Sequence, residues 1–213
     1  NYTAAEKKNT LIPCQHACPV HTDIPRYVRY VKEGRYEEAA AVVHEKILFP
    51  ECLGRVCAHG CEEKCRRNEV NEAVSIRNIK RYAAEHADNE LWIRNSKHLP
   101  STGKKICVVG GGPAGMTAAY YLAKQGHYVV LKEAEEKLGG QMQYGIPSYR
   151  LPRDVVNKEA EYLKTAGVKV ETRCCISHPM DLGKEYDAVL MAIGTHDGVK
   201  LPMEGNDLSG VLK

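Results

Sequence analysis

Apolar positions recur at helical spacing through the first hundred residues and at strand spacing beyond them. Ile24, Tyr27, Val28 and Val31 follow the i, i+3, i+4, i+7 pattern of one helix face before Gly34. With Asp23 as a cap and Pro25 in the first turn, they predict a helix. A second helix is predicted over Tyr36 to Lys46, with Ala39, Ala40, Val43 and Ile47 on one face. A third runs from about Val74 to Arg94, placing Ile76, Ile79, Tyr82 and Ala83 together. From Lys104 the pattern changes. Lys104 to Val109 is a short apolar run of strand type, Met116 to Gln125 a helix closed by Gly126, and Tyr128 to Leu131 a strand leading to Glu133. Ala188 to Met191 is a further strand, and Leu99-Pro-Ser-Thr-Gly103 reads as a linker. Two domains are expected, a helical one over residues 1–99 and an α/β one over residues 104–213.

Composition narrows the classes of function. The 213 residues are 43% hydrophobic and 27% charged, the balance of a globular protein, and no run reaches the length of a membrane helix. Without a charged-then-apolar leader, the chain reads as soluble and cytoplasmic. The net charge of +3 is spread over both signs, and Trp92 and Phe49 are the only residues of their kinds. Neither a basic patch nor a stacking platform for nucleic acid emerges.

The cysteines are unevenly distributed. Six of nine lie within the first 65 residues, at positions 14, 18, 52, 57, 61 and 65. Thiols at such intervals can converge on one ion or cluster. Structural disulfides would require an oxidising compartment, for which nothing argues. Zinc is possible, with His16 and His59 beside cysteines, but zinc knuckles pair two Cys-x(2–4)-Cys units. Here Cys18-Pro19 precedes Cys57, Cys61 and Cys65 at even spacing. A Cys-Pro step whose sulfur reaches across to a different set is an iron–sulfur trait, and favours a cluster held by Cys18, Cys57, Cys61 and Cys65.

The second domain opens on a dinucleotide-binding unit. The strand ending at Val109 runs into Gly110-Gly-Gly112-Pro113-Ala114-Gly115 and a helix, with Glu133 about twenty residues on. Gly110 serves the tight turn, Gly112 the approach of the pyrophosphate, and Gly115 close helix–strand packing. The helix start then meets phosphate charge, and Glu133 is placed for ribose hydroxyls. Leu138-Gly139-Gly140-Gln141 and Ala192-Ile193-Gly194 resemble two later contact sites of flavoproteins that bind two dinucleotides, and point to FAD. The plain alternative is that Gly139 and Gly140 only form a turn.

Taken together, these residues resemble the small subunit of NADPH-dependent glutamate synthase and its relatives, including the N-terminal half of dihydropyrimidine dehydrogenase. The most specific stretches are Gly54-Arg-Val-Cys57, Cys61-Glu62, the glycine fingerprint and Tyr144-Gly-Ile-Pro-Ser-Tyr-Arg-Leu-Pro152. The resemblance implies an α-helical iron–sulfur domain followed by a Rossmann-like FAD-binding domain, here truncated. It implies that Gln141 and Arg150 contact FAD and that Ile176 lies near the adenine. The family's first cysteine motif ends here at Cys14 and Cys18, with Glu6 and Asn9 where its first two cysteines stand. A further ligand, Gln or Glu in the family, falls at Lys80. One [4Fe-4S] cluster is therefore expected, leaving Cys14 and Cys52 as spare thiols. The family continues beyond Lys213 into an NADPH fingerprint, so NADPH would act only through a missing or separate domain, and the chain reads as a fragment. Electrons would pass between FAD and the cluster, to or from a partner oxidoreductase subunit or a ferredoxin-like carrier.

Two rival readings remain. The helical domain could be a metal-stabilised docking module beside a nucleotide-binding domain, or the second domain could be a piece of an NAD-dependent dehydrogenase. No general acid–base pair is evident. His127 and His196 read as surface residues, Cys107 as core, and Cys174-Cys175 as strand cysteines.

Overall fold

The computed structural model describes residues 12–96, 98–195 and 202–209. Its first half is a set of short helices: α1 (Pro13–Ala17), α2 (Ile24–Lys32), α3 (Tyr36–His44), α4 (Pro50–Val56), α5 (Gly60–Glu63), α6 (Ile76–Glu85) and α7 (Glu90–Asn95). Asp23 caps α2 as the sequence indicates, its side chain accepting from the Arg26 N–H at 3.3 Å. Ile24, Tyr27, Ala39, Val43, Ile47, Ile76 and Ala83 bury together as the helical core. At its centre the Tyr27 hydroxyl donates to the Ile76 carbonyl at 3.2 Å.

The long third helix expected from periodicity is broken in two. Asn89 takes a left-handed conformation (φ 61°) between α6 and α7. Its buried amide explains why: Oδ1 accepts from His44 Nε2 at 3.1 Å, and Nδ2 donates to the Tyr162 hydroxyl at 3.1 Å. Asparagine tolerates this backbone region better than most side chains, and its long-range bonds outweigh continuation of the helix. Of the residues expected on the buried face, Tyr82 is exposed.

The second half is a four-stranded parallel sheet of order β3-β2-β1-β4. The strands are β1 (Lys105–Val109), β2 (Tyr128–Lys132), β3 (Lys169–Glu171) and β4 (Ala188–Met191). Val108 sits opposite Leu131 on one side and Leu190 on the other. Between the strands run α8 (Pro113–Lys124), α9 (Gln141–Tyr144), α10 (Arg153–Ala160) and α11 (Tyr162–Thr165). The chain leaves β1 toward β2 and β3, then returns to β4 on the opposite side. Crevices at such a reversal of strand order are where open α/β sheets bind ligands.

The two halves share a core. Leu48, Phe49, Cys52 and Trp92 bury with Met116, Tyr120, Leu131, Leu151, Leu163 and their neighbours. The segment read as a linker is tied down, with the Leu99 N–H on the Lys124 carbonyl (2.9 Å) and the Thr102 N–H on the Gly126 carbonyl (3.0 Å). Across the boundary, the fully buried Glu159 of α10 accepts from the Glu51 and Cys52 N–H groups at 2.7 and 3.0 Å. It supplies the acceptors that the first turn of α4 lacks, while Lys158 pairs with Glu51 at 2.5 Å.

Candidate functional site

Two cavities carry the residues singled out by sequence. The first, of about 410 Å³, opens at the carboxyl ends of the strands, between the reversal of β1 and β4. Gly110, Gly112, Pro113, Ala114, Glu133, Gly140, Gln141, Ile176 and Gly194 all line it. The wall is glycine-built for steric reasons. A Cβ on Gly110 would stand 2.3 Å from the Ala192 carbonyl oxygen, and one on Gly115 would stand 1.8 Å from the Gly110 oxygen. Gly115 is thus buried in the helix–strand contact instead of the cavity wall. Gly112 differs: the nearest atom to a Cβ there is Gly140 Cα at 3.9 Å, so this backbone faces open space. No side chain caps α8 after Gly112. Its first-turn N–H groups are therefore free to meet an anion, as they do in phosphate-binding helices.

Glu133 directly follows β2, buried, with Oε2 accepting from the Gly111 N–H and Oε1 from the Glu135 N–H at 2.8 Å. These bonds fix the carboxylate on the cavity wall while each oxygen keeps a further lone pair. Gln141 Nε2 donates to the Thr195 carbonyl at 3.1 Å, tying α9 to the loop after β4. Arg150 does not reach this wall; it is exposed in the turn after Pro147. Its neighbour Arg153, which sequence reasoning missed, donates to the Met142 and Ile146 carbonyls at 2.7 Å each and so braces α9. Also unforeseen is the position of Cys174 and Cys175. They lie beyond the end of β3, outside any strand, and both line the cavity, with the Cys174 N–H on the Glu133 carbonyl at 2.8 Å. Cys107 is buried in β1, as expected, and His127 is half-buried, with Nδ1 2.6 Å from the Thr102 hydroxyl.

The second cavity, about 380 Å³, lies in the helical half. Cys18, Cys57 and Cys61 line it, with Tyr27, Thr22, His59, Arg77 and Lys80 and an apolar wall that includes Ile24, Ile47 and Ile76. Among the described residues no three His, Cys, Asp or Glu side chains converge as ligands of a single ion. The Cys18 Sγ donates to the Thr22 hydroxyl at 3.6 Å. Burial pushes the Cys18 thiol up, but the Thr22 bonds and the Lys80 charge outweigh it and leave the thiol lowered. Burial first, and then the charge of Cys57, push Cys61 up to about 11. Lys80, placed on α6 and buried, donates to the Cys57 Sγ at 3.5 Å.

Cys65 is not on this wall. α5 ends at Glu63, and Cys65 follows in extended conformation (φ −69°, ψ 123°), so the four-residue step from Cys61 does not keep it on the same face. It lies close enough to Cys14 for its charge to help raise that thiol, behind the larger effect of burial. Cys52 is buried in the shared core. Positions 6 and 9, where the family's other ligands would fall, and His196 lie outside the described residues.

The donor chemistry and shape of both sites suit the groups that the sequence suggested. Soft thiols around a largely apolar pocket fit a thiolate-held cluster. Glycine-lined backbone, an uncapped helix start and a carboxylate at the end of β2 fit a dinucleotide. Among the described residues, no helix is long and apolar enough to cross a membrane.

Comparison with known proteins agrees with this division. Residues 8–92 match the family described as dihydropyrimidine dehydrogenase domain II, 4Fe-4S cluster, and residues 108–171 match an NAD(P)-binding Rossmann-like domain. The chain is 38% identical over 219 residues to the NADP(+)-dependent formate dehydrogenase subunit beta of Moorella thermoacetica, covering 92% of this chain and 31% of that protein. It is 36% identical to the NADPH-Fe(3+) oxidoreductase subunit beta of Geobacter sulfurreducens, covering 92% and 30%. It is 33% identical to the glutamate synthase [NADPH] small chain of Escherichia coli, covering 93% and 43%. The chain thus spans from about a third to less than half of the length of these relatives. With a match to a 4Fe-4S family ahead of a match to a Rossmann-like dinucleotide-binding family, the chain has the glutamate synthase small chain and related iron–sulfur oxidoreductase beta subunits as its homologues.

Proposed function

We propose that this chain is the electron-transfer module of an NAD(P)H-linked oxidoreductase, holding FAD in the sheet-end cavity and one [4Fe-4S] cluster in the cysteine-lined cavity. The observation that carries the reading is the convergence of nine residues, picked from scattered sequence motifs, on one cavity at the strand reversal. When bound, a flavin supplies interchange between two-electron and one-electron chemistry, and an iron–sulfur cluster supplies one-electron carriage. The chain's part is placement. The open Gly112 backbone and the first turn of α8 would receive the pyrophosphate, and Glu133 would accept from ribose hydroxyls. Gln141, held by Thr195 and backed by the Arg153 brace, would set the loop against the flavin side. The Gly140 backbone packs against Gly112, since a Cβ on Gly140 would stand 2.8 Å from Gly112 Cα, so the two glycine loops form one surface.

In the helical half, Cys18, Cys57 and Cys61 would ligate iron, with Cys65 as the fourth thiolate expected from spacing. The shared core holds the two sites in fixed relation. A partner would supply or withdraw electrons, because the relatives carry the names of subunits. Anaerobic purification followed by iron, zinc and flavin analysis with a visible spectrum tests the reading. About four irons per chain together with a flavin band are expected. Zinc in place of iron would make the helical half a structural docking module and overturn the electron-transfer reading. Retention of a nicotinamide nucleotide in place of flavin would overturn the FAD assignment.

A further inference from the structure

We propose that Lys80 is a positioning residue for the redox poise of the helical site: a buried ammonium that hydrogen-bonds a ligand sulfur and makes the cluster easier to reduce. This inference rests on the cluster reading above. Lys80 projects from α6 into the cysteine cavity, is 7% exposed, and places Nζ 3.5 Å from the Cys57 Sγ. Its charge also falls on Cys18 and Cys61. Among the described residues it forms no ion pair with a carboxylate. Glu62, on the neighbouring α5, is engaged by the Arg77 N–H at 2.8 Å and lies 3.8 Å from His59 Nε2. A buried cation needs a counter-charge, and thiolates holding a cluster would supply it.

The chemistry of the side chain sets its role. An ammonium has three donors and no lone pair, so in its charged form it cannot ligate iron. It can donate to a thiolate and add positive charge beside the cluster. Hydrogen bonds to the sulfurs and nearby charge are among the main levers on cluster potential. Reduction adds an electron, and therefore negative charge, to the cluster. A buried cation stabilises that state over the oxidised one, because its interactions are less screened than at the surface. The structure places this charge in the cavity that Cys18, Cys57 and Cys61 share.

The test is the midpoint potential of the iron-loaded whole chain, followed by electron paramagnetic resonance. It compares the parent with Lys80→Leu, which is neutral and cannot ligate, and with Lys80→Arg, which keeps the charge. Lys80→Leu is expected to load iron to the parent's level. Its equilibrium constant for reduction is expected to fall about tenfold or more, a shift of about 59 mV to lower potential for one electron. Lys80→Arg is expected to shift by less than half of that. A fully loaded Lys80→Leu protein with the parent's potential would overturn the inference while leaving the cluster reading intact. So would folded Leu and Arg variants that both fail to hold iron, since Lys80 would then be needed for assembly instead of poise. A parent chain that takes up no iron would remove the cluster reading, and the inference with it.

Discussion

Replacing Glu159 by Gln should change how the stability of this protein depends on pH. Glu159 is fully buried, and its two oxygens accept from the Glu51 and Cys52 N–H groups. Burial pushes its carboxyl from the ordinary 4.5 up to about 7, against the pull of those hydrogen bonds, and the Glu51 charge pushes the same way. Between these two values the folded state keeps a proton that the unfolded chain has already released. Stability therefore falls as pH rises from about 4.5 to about 7 and is level above it. At about 1.36 kcal/mol per pH unit, the term amounts to about 3 kcal/mol. His44 acts in the opposite sense over an overlapping window. Burial lowers its imidazole from 6.5 to about 4, so the unfolded chain binds the extra proton and stability rises with pH. The two terms nearly cancel in the parent protein, and only the difference between parent and variant isolates Glu159.

Gln keeps one acceptor but turns an amide donor toward the second N–H, which costs about 1–2 kcal/mol. At pH 5 the variant should be less stable by that amount. By pH 8 the order should reverse, because the parent then carries a buried charge that the variant lacks. Denaturant unfolding of both proteins at half-unit steps from pH 5 to 8 measures the difference directly. A difference that stays constant over this range would show that Glu159 is ionised throughout, with the helix N–H groups outweighing burial, and would refute the reasoning.

Other consequences follow from single residues. Gly115→Ala drives a Cβ to 1.8 Å from the Gly110 oxygen and should cost about 3 kcal/mol or more, read as a lowered unfolding midpoint. Gly112→Ala meets nothing closer than 3.9 Å; its midpoint should stay within about 0.5 kcal/mol of the parent, while calorimetry should show weaker dinucleotide binding. Cys175, exposed on the wall of the nucleotide cavity, should react with iodoacetamide in the nucleotide-free chain and be protected by bound nucleotide, as followed by peptide mass spectrometry. Asn89→Gly keeps the left-handed turn but removes the bonds to His44 and Tyr162, and should lower stability by about 1–3 kcal/mol in a urea titration.

What was legible in the sequence was local. The βαβ fingerprint could be read because glycine spacing, strand and helix all act within thirty residues, and Gly110, Gly112 and Glu133 arrive where that spacing puts them. The third strand went unread, being only three residues, Lys169–Glu171. The break at Asn89 was hidden because its cause lies at His44 and Tyr162, far away in the chain. Even spacing points to Cys65 beside Cys57 and Cys61; where it lies is decided by the local backbone, since α5 stops after one turn and the next residues are extended. Arg150 is assigned by resemblance alone, and no local signal foretells that its neighbour Arg153 braces α9.

The core that unites the two halves bears on how the chain is made. Leu48, Phe49, Cys52 and Trp92 find their apolar partners between residues 108 and 168, and the opening turn of α4 finds its acceptors at residue 159. During synthesis the helical half must therefore wait, with those side chains bare, for roughly a hundred further residues to emerge. Such distant contacts slow folding and prolong the exposure of sticky surface. The stretch most in need of protection on the ribosome is thus 48–52, although it belongs to the half that is translated first.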